Sequence, residues 1–220
     1  MIRIARIRMQ QRALPALFAR FYAVGAVLWL LPPTRGLFVA ITTPSLLLTI
    51  GAAFLFHRDW SRAAIGWFLF IALSAFWLEW AGVHDSRLFG AYAYGPGLAP
   101  LVGGTPLIIG TNWLWLVYAS HDLAARAVRG PLLRIVAASL LMVGYDLALE
   151  WAAAPMRMWR FEDGYAPLRN FVVWFAASVI YHAGFEAAGI RSDNRTARVL
   201  FGLQMLFFLL IGLLAQLFPA

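Results

Sequence analysis

The stretch GYDLALEW, residues 144–151, decides how this chain is to be read. It closes a long apolar run and carries two carboxylates, Asp146 and Glu150, at a four-residue spacing that stacks them on one face of a helix. In a helix bathed in water such a pair would mean little. At membrane depth a carboxylate costs roughly 2.5–3.5 kcal/mol on insertion scales, so two on one stripe need a partner, a cavity or a task.

Composition puts that stretch in a membrane. The chain is 62% hydrophobic and 13% charged, whereas soluble domains are about half apolar and about a quarter charged. Cysteine is absent, which removes disulfides, thiolate metal sites and thiol nucleophiles. All 18 basic side chains are arginine. Without lysine there is no retinal Schiff base, so a rhodopsin is excluded. A net charge of +8 would suggest nucleic acid in a soluble protein. Here the arginines fall in short loops and read as topology signals, and no nucleic-acid partner is expected.

The apolar runs predict an all-α polytopic membrane bundle of about seven transmembrane helices, forming a single transmembrane domain over residues 1–220. The spans fall near 14–31, 37–56, 63–80, 101–120, 131–152, 169–189 and 197–217. The basic start resembles a signal peptide, but the run after it is long. Pro32-Pro33-Thr34-Arg35 offers no small-residue cleavage site, so a retained first helix is expected. One set of connecting segments holds Arg3, Arg6, Arg8, Arg12, Arg58, Arg62, Arg126, Arg129, Arg191, Arg195 and Arg198. The opposite set holds Arg35, Arg87, Arg157, Arg160 and Arg169. The positive-inside rule then places the N-terminus in the cytoplasm, with the chain crossing the cell (inner) membrane several times.

Two long segments, 81–106 and 152–169, fall on the same, outer side. Both are rich in Gly, Pro and aromatics, which suits a constrained lid better than a linker. Beneath them lie Glu79 and Glu150. The letters Leu-Glu-Trp-Ala occur at 78–81 and again at 149–152, each time as a helix leaves the membrane, which hints at an internal repeat. Asn112, Asp146 and Asn170 add polar groups to the same apolar neighbourhood, and Tyr92, Tyr94, Trp113, Trp151, Trp159 and Trp174 supply aromatic faces.

No metal constellation emerges, because His57, His84, His121 and His182 lie on different segments. Serine-elbow, phosphate-loop and dinucleotide motifs are absent, so neither a metal nor a cofactor is expected. What remains is carboxyl acid–base chemistry in a dry aromatic pocket. Removed from water, a carboxyl can hold a proton at neutral pH and deliver it to a poor base. Trp and Tyr faces can stabilise a developing cation. That is equipment for protonating an alkene. More ordinary roles are open to the same residues: Glu79 and Glu150 as interfacial residues with wet heads, Trp80 and Trp151 as belt aromatics, and an Asn112 hydrogen bond to Asp146. Glu162 and Asp163 read as a solvated turn, Arg20 as a snorkelling side chain, and His182 with Glu186 as a packing pair.

The run FGAYAYGPGLAPLVGGTPLIIGTNWLWLVYAS, 89–120, and the run YDLALEWAAAPMRMWRFEDGYAPLRNFVVWF, 145–175, resemble the membrane carotenoid biosynthesis protein family, the carotenoid 1,2-hydratases. The resemblance rests on Glu79 with Gly82-Val83, Phe89-Gly90-Ala91-Tyr92-Ala93-Tyr94, Gly104-Thr105-Pro106 and Asn112-Trp113. It continues through Tyr145-Asp146 with Glu150, Trp159-Arg160-Phe161 and Pro167-Leu168-Arg169-Asn170. It covers about residues 76–185. Phe161 stands where a second Trp is usual, and the surroundings of Trp80 are bulkier than is typical.

The resemblance implies addition of water across the terminal double bond of an acyclic carotenoid end group, in lycopene, γ-carotene or a longer archaeal carotenoid. It implies Asp146 or Glu150 as the acid, with Glu79 sharing the proton or steering water. Asn112 and Asn170 would hold that water, and Tyr92, Tyr94, Trp159 and Trp174 would wall the cation. The implied partners are the carotenoid, membrane lipid and other carotenoid enzymes. The nearest rival, the membrane lycopene cyclase, carries Pro-x-Glu-Glu where this chain has Pro167-Leu168-Arg169-Asn170. A non-catalytic carotenoid carrier is the other alternative, and it would need no proton donor.

Overall fold

Seven long helices carry the chain back and forth, and a computed structural model describes residues 2–218, with side chains from residue 13 onward. The side chains of Arg3, Arg6, Arg8 and Arg12, read above as topology signals, lie outside the described residues. The helices are α1 (Ile2–Leu30), α2 (Arg35–Phe54), α3 (Arg62–His84), α5 (Ile109–Ala127), α6 (Pro131–Ala153), α7 (Leu168–Ala187) and α8 (Arg195–Leu217), with a single turn, α4, at Ser86–Phe89. Local chemistry sets their ends. Ser61 caps α3 by accepting from the Ala64 N–H, and Asn194 caps α8 by accepting from the Ala197 N–H. Pro131 opens α6, where its missing N–H costs nothing.

Five of the seven, within Ala13–Leu30, Pro32–Phe54, Arg62–His84, Pro131–Ala153 and Arg195–Leu217, are long and apolar enough to cross a membrane. α5 and α7 are less apolar, and the reason is their position. α5 packs against α3, α6 and α8, and also touches α2 and α7, so residues Trp115 to Asp122 form an unbroken buried run. Its polar residues, including Asn112, Ser120, His121 and Asp122, therefore face protein rather than lipid. Close approach demands small residues: a Cβ on Gly110 would lie 2.0 Å from the Ala72 carbonyl oxygen, so only glycine lets α5 meet α3 here. Around this centre the bundle turns Leu48, Leu69, Leu73, Trp77, Leu140, Ile180 and Leu206 outward. A belt of that kind suits hydrocarbon, not water.

The predicted span 101–120 needs correction. Its first third is a hairpin of β2 (Leu101–Val102) and β3 (Thr105–Pro106), turning on Gly103 and Gly104, both at positive φ, and the helix starts only at Ile109. The two long segments 81–106 and 152–169 are joined: β1 (Tyr92–Tyr94) runs antiparallel to β4 (Trp159–Phe161), pairing Tyr92 with Phe161 and Tyr94 with Trp159. Two further bonds fasten this end to the first helices, from the Trp29 indole to the Pro155 carbonyl (3.1 Å) and from the Thr43 hydroxyl to the Gly97 carbonyl (3.3 Å).

Candidate active site

Under the β1–β4 ribbon lies a cavity of about 660 Å³. Helix α6 delivers Asp146 and Glu150 to it from one stripe, as the four-residue spacing requires. Helix α3 delivers Glu79 from across the bundle. Ten of the eleven residues singled out in the sequence line this cavity: Glu79, Tyr92, Tyr94, Asn112, Trp113, Asp146, Glu150, Trp159, Asn170 and Trp174.

Trp151 does not. One residue beyond Glu150, it points roughly 100° further round the helix. It lies against α8 at Gly212, where an added Cβ would come within 2.7 Å of its ring, and it is 42% exposed. His84 also stays outside, exposed and stacked on Trp80 with ring centroids 4.1 Å apart. Glu162 and Asp163 are exposed in a turn.

The three carboxylates are held differently. Glu79 is buried and accepts three bonds, from the Tyr92 hydroxyl (2.8 Å), the Tyr94 hydroxyl (2.7 Å) and the Trp113 indole N–H (2.9 Å). An indole can only donate, so this shell is built for an acceptor. Burial, then the neighbouring Glu79, pushes both tyrosine phenols well above their ordinary range, so they remain O–H donors. Glu150 accepts one bond, from the Trp159 indole at 3.1 Å.

Asp146 is fully buried; its Oδ2 accepts from the Asn170 amide at 2.8 Å, and its Oδ1 has no hydrogen-bond partner. The amide on Asp146 is thus that of Asn170, not Asn112, which sits elsewhere in the cavity wall. Among the described residues, no arginine or histidine forms an ion pair with any of the three acids. The apolar walls include Trp113 and Trp174, stacked with centroids 4.1 Å apart.

Two lining residues with polar atoms, Trp115 and Gln204, escaped the sequence reading, and Tyr145 entered it only as part of the family pattern. Gln204, buried in α8, accepts from the Trp115 indole (2.9 Å) and the Tyr145 hydroxyl (2.6 Å). An amide in the middle of so apolar a helix was the available signal. Among the described residues no cluster of three or more potential metal ligands occurs.

The chain is therefore a multi-pass membrane protein with an acid-lined chamber inside its helix bundle. Comparison with known families makes that class specific. Residues 39–219 match the carotenoid biosynthesis protein family, and the chain belongs to it. It is also similar to bisanhydrobacterioruberin hydratase of Haloarcula japonica, with 26% identity over 159 residues that cover 64% of this chain and 53% of the relative. The chain thus spans about half the length of that curated relative. No solved structure matches it.

Proposed function

We propose that this protein is a carotenoid hydratase of the cell membrane, adding water to the terminal double bond of an acyclic carotenoid. The observation that carries the proposal is the convergence of Glu79, Asp146 and Glu150 on one aromatic cavity without a cationic partner. A carrier for a hydrocarbon has no use for unpaired acids, which cost free energy to bury. The relative's hydratase name supports water addition as the reaction.

Asp146 is the acid in this reading. Its free Oδ1 faces no competing donor, so its proton is available to the alkene carbon distal to the branch. The π electrons form the new C–H bond and leave a tertiary cation on the neighbouring carbon. The stacked indoles of Trp113 and Trp174 present negative ring faces to that charge. A water lone pair then forms the C–O bond, and Glu150 accepts the proton that the water loses. Glu150 and Asp146 share one helical stripe, so the proton returns along α6 and the acid is reset. Glu79, fixed by three donors on the opposite side of the chamber, steers the water.

The membrane lycopene cyclase is the rival, and Asn170 stands where its second acid would lie. Cyclisation isomerises the pigment, whereas hydration adds the mass of one water. Expressing the gene in a lycopene-making host and weighing the extracted pigments decides between them. Unchanged mass would sink the hydratase reading.

A further inference from the structure

A second cavity, about 520 Å³, lies between α1, α2 and α8. Leu46, Gln204 and Phe208 belong to the walls of both this space and the acid chamber, so the two are separated only by that collar. Its lining is mostly hydrocarbon, and three of its polar side chains are already engaged. The Tyr22 hydroxyl is bonded to Thr49 (2.9 Å), the Thr42 hydroxyl donates to the Phe38 carbonyl (2.9 Å), and the Gln204 oxygen holds Trp115 and Tyr145. The outer wall runs to the lipid-facing surface at Val24, which is 58% exposed. Gly25 keeps the space open: a Cβ there would touch the Phe207 ring at 3.4 Å, and anything larger would enter the cavity.

We infer that this α1–α2 cavity holds the polyene chain beyond its reacting end, so that the substrate enters sideways from the bilayer and presents one end at a time to the acids. The inference rests on the hydratase reading and adds the substrate's path to it. A roof pinned by the β1–β4 ribbon closes the outward direction, and a linear chain too long for the chamber must leave it through an apolar opening. The collar of Leu46, Gln204 and Phe208 leads to such a space. A chain lying in it is shielded from water on the side facing α8.

The experiment uses the full chain reconstituted in lipid and two hydrocarbons with the same dimethyl-substituted terminal double bond, lycopene and the short terpene myrcene. Gly25→Trp fills the cavity from α1, and Ile41→Trp fills it from α2. The expected result is a fall of roughly tenfold or more in lycopene hydration with myrcene hydration within about twofold of the wild type, for at least one variant. Lycopene hydration unchanged in both variants, or a parallel fall for both substrates in both, overturns the inference. Should the wild type hydrate neither hydrocarbon, the hydratase reading fails, and pigment retention then tests the cavity by itself. Lycopene that copurifies with the wild type and is lost from Gly25→Trp supports the assignment. Equal retention by both, or a phospholipid chain in its place, overturns it.

Discussion

At the end of the bundle away from the ribbon, buried acids meet cations. Asp122, buried on α5, pairs with Arg198 at 2.5 Å and also accepts from the Asn194 N–H. Half-buried Glu186 pairs with Arg134 at 2.7 Å and lies 3.4 Å from the His121 ring, and His182 stacks on His121 rather than bonding Glu186 on its own helix. At the ribbon end, Glu79, Asp146 and Glu150 meet only phenols, indoles and an amide. Both ends bury acids, but only one end neutralises them. A paired acid fastens helices together, and an unpaired one keeps its proton chemistry available. The proposed reaction uses the end whose acids carry no cation.

The contrast can be broken most sharply at Asp146. Asp146→Asn should lower hydration by roughly a thousandfold, the range of a general acid, with the protein still inserted and folded. It is read from the alcohol content of extracted pigment. Arg198→Met attacks the other end. It strands the buried Asp122 charge and should cost about 3 kcal/mol of stability, seen as a lower unfolding temperature in detergent, while turnover per folded molecule stays at the wild-type level. If the two variants exchanged these signatures, the division of labour would be refuted.

Smaller changes sharpen the picture. Trp159→Phe frees the Glu150 carboxylate and should slow turnover by roughly tenfold with the affinity for substrate little altered. Tyr94→Phe removes one of three donors to Glu79 and should cost about 1 kcal/mol in transition-state stabilisation, a severalfold drop measured under the same conditions. Arg87→Ala breaks an exposed pair with Asp85 at the protein's edge and should change neither unfolding temperature nor rate.

Much of this was legible from residue order because membranes simplify it. Apolar runs separated by arginine-bearing turns can hardly form anything but helices, and a four-residue gap between acids can hardly fail to align them. The failures have physical causes too. The run from Leu101 to Ile109 is as greasy as a helix, yet Gly103 and Gly104 take left-handed backbone and turn it into a hairpin. Trp151 was counted among the aromatic faces around Glu150, but neighbouring positions on a helix face different ways. Asp122 lay in a segment taken for a connecting loop, and Arg198 was read as a topology signal. Their pairing is a contact across 76 positions that no local pattern announces. Gln204 likewise acquires meaning only from Trp115 and Tyr145, which reach it from two other helices.

The antiparallel stitching of Tyr92 to Phe161 and Tyr94 to Trp159 also constrains anyone who would re-engineer this protein. Each segment supplies half of a seam, so neither can be exchanged in isolation for that of a cousin with a different pigment preference. Grafts have to move 85–106 and 154–167 as a matched set, like the two sides of a zip. A single-sided chimera would leave loose amide groups over a greasy interior and a floor acid stripped of its phenol clasps.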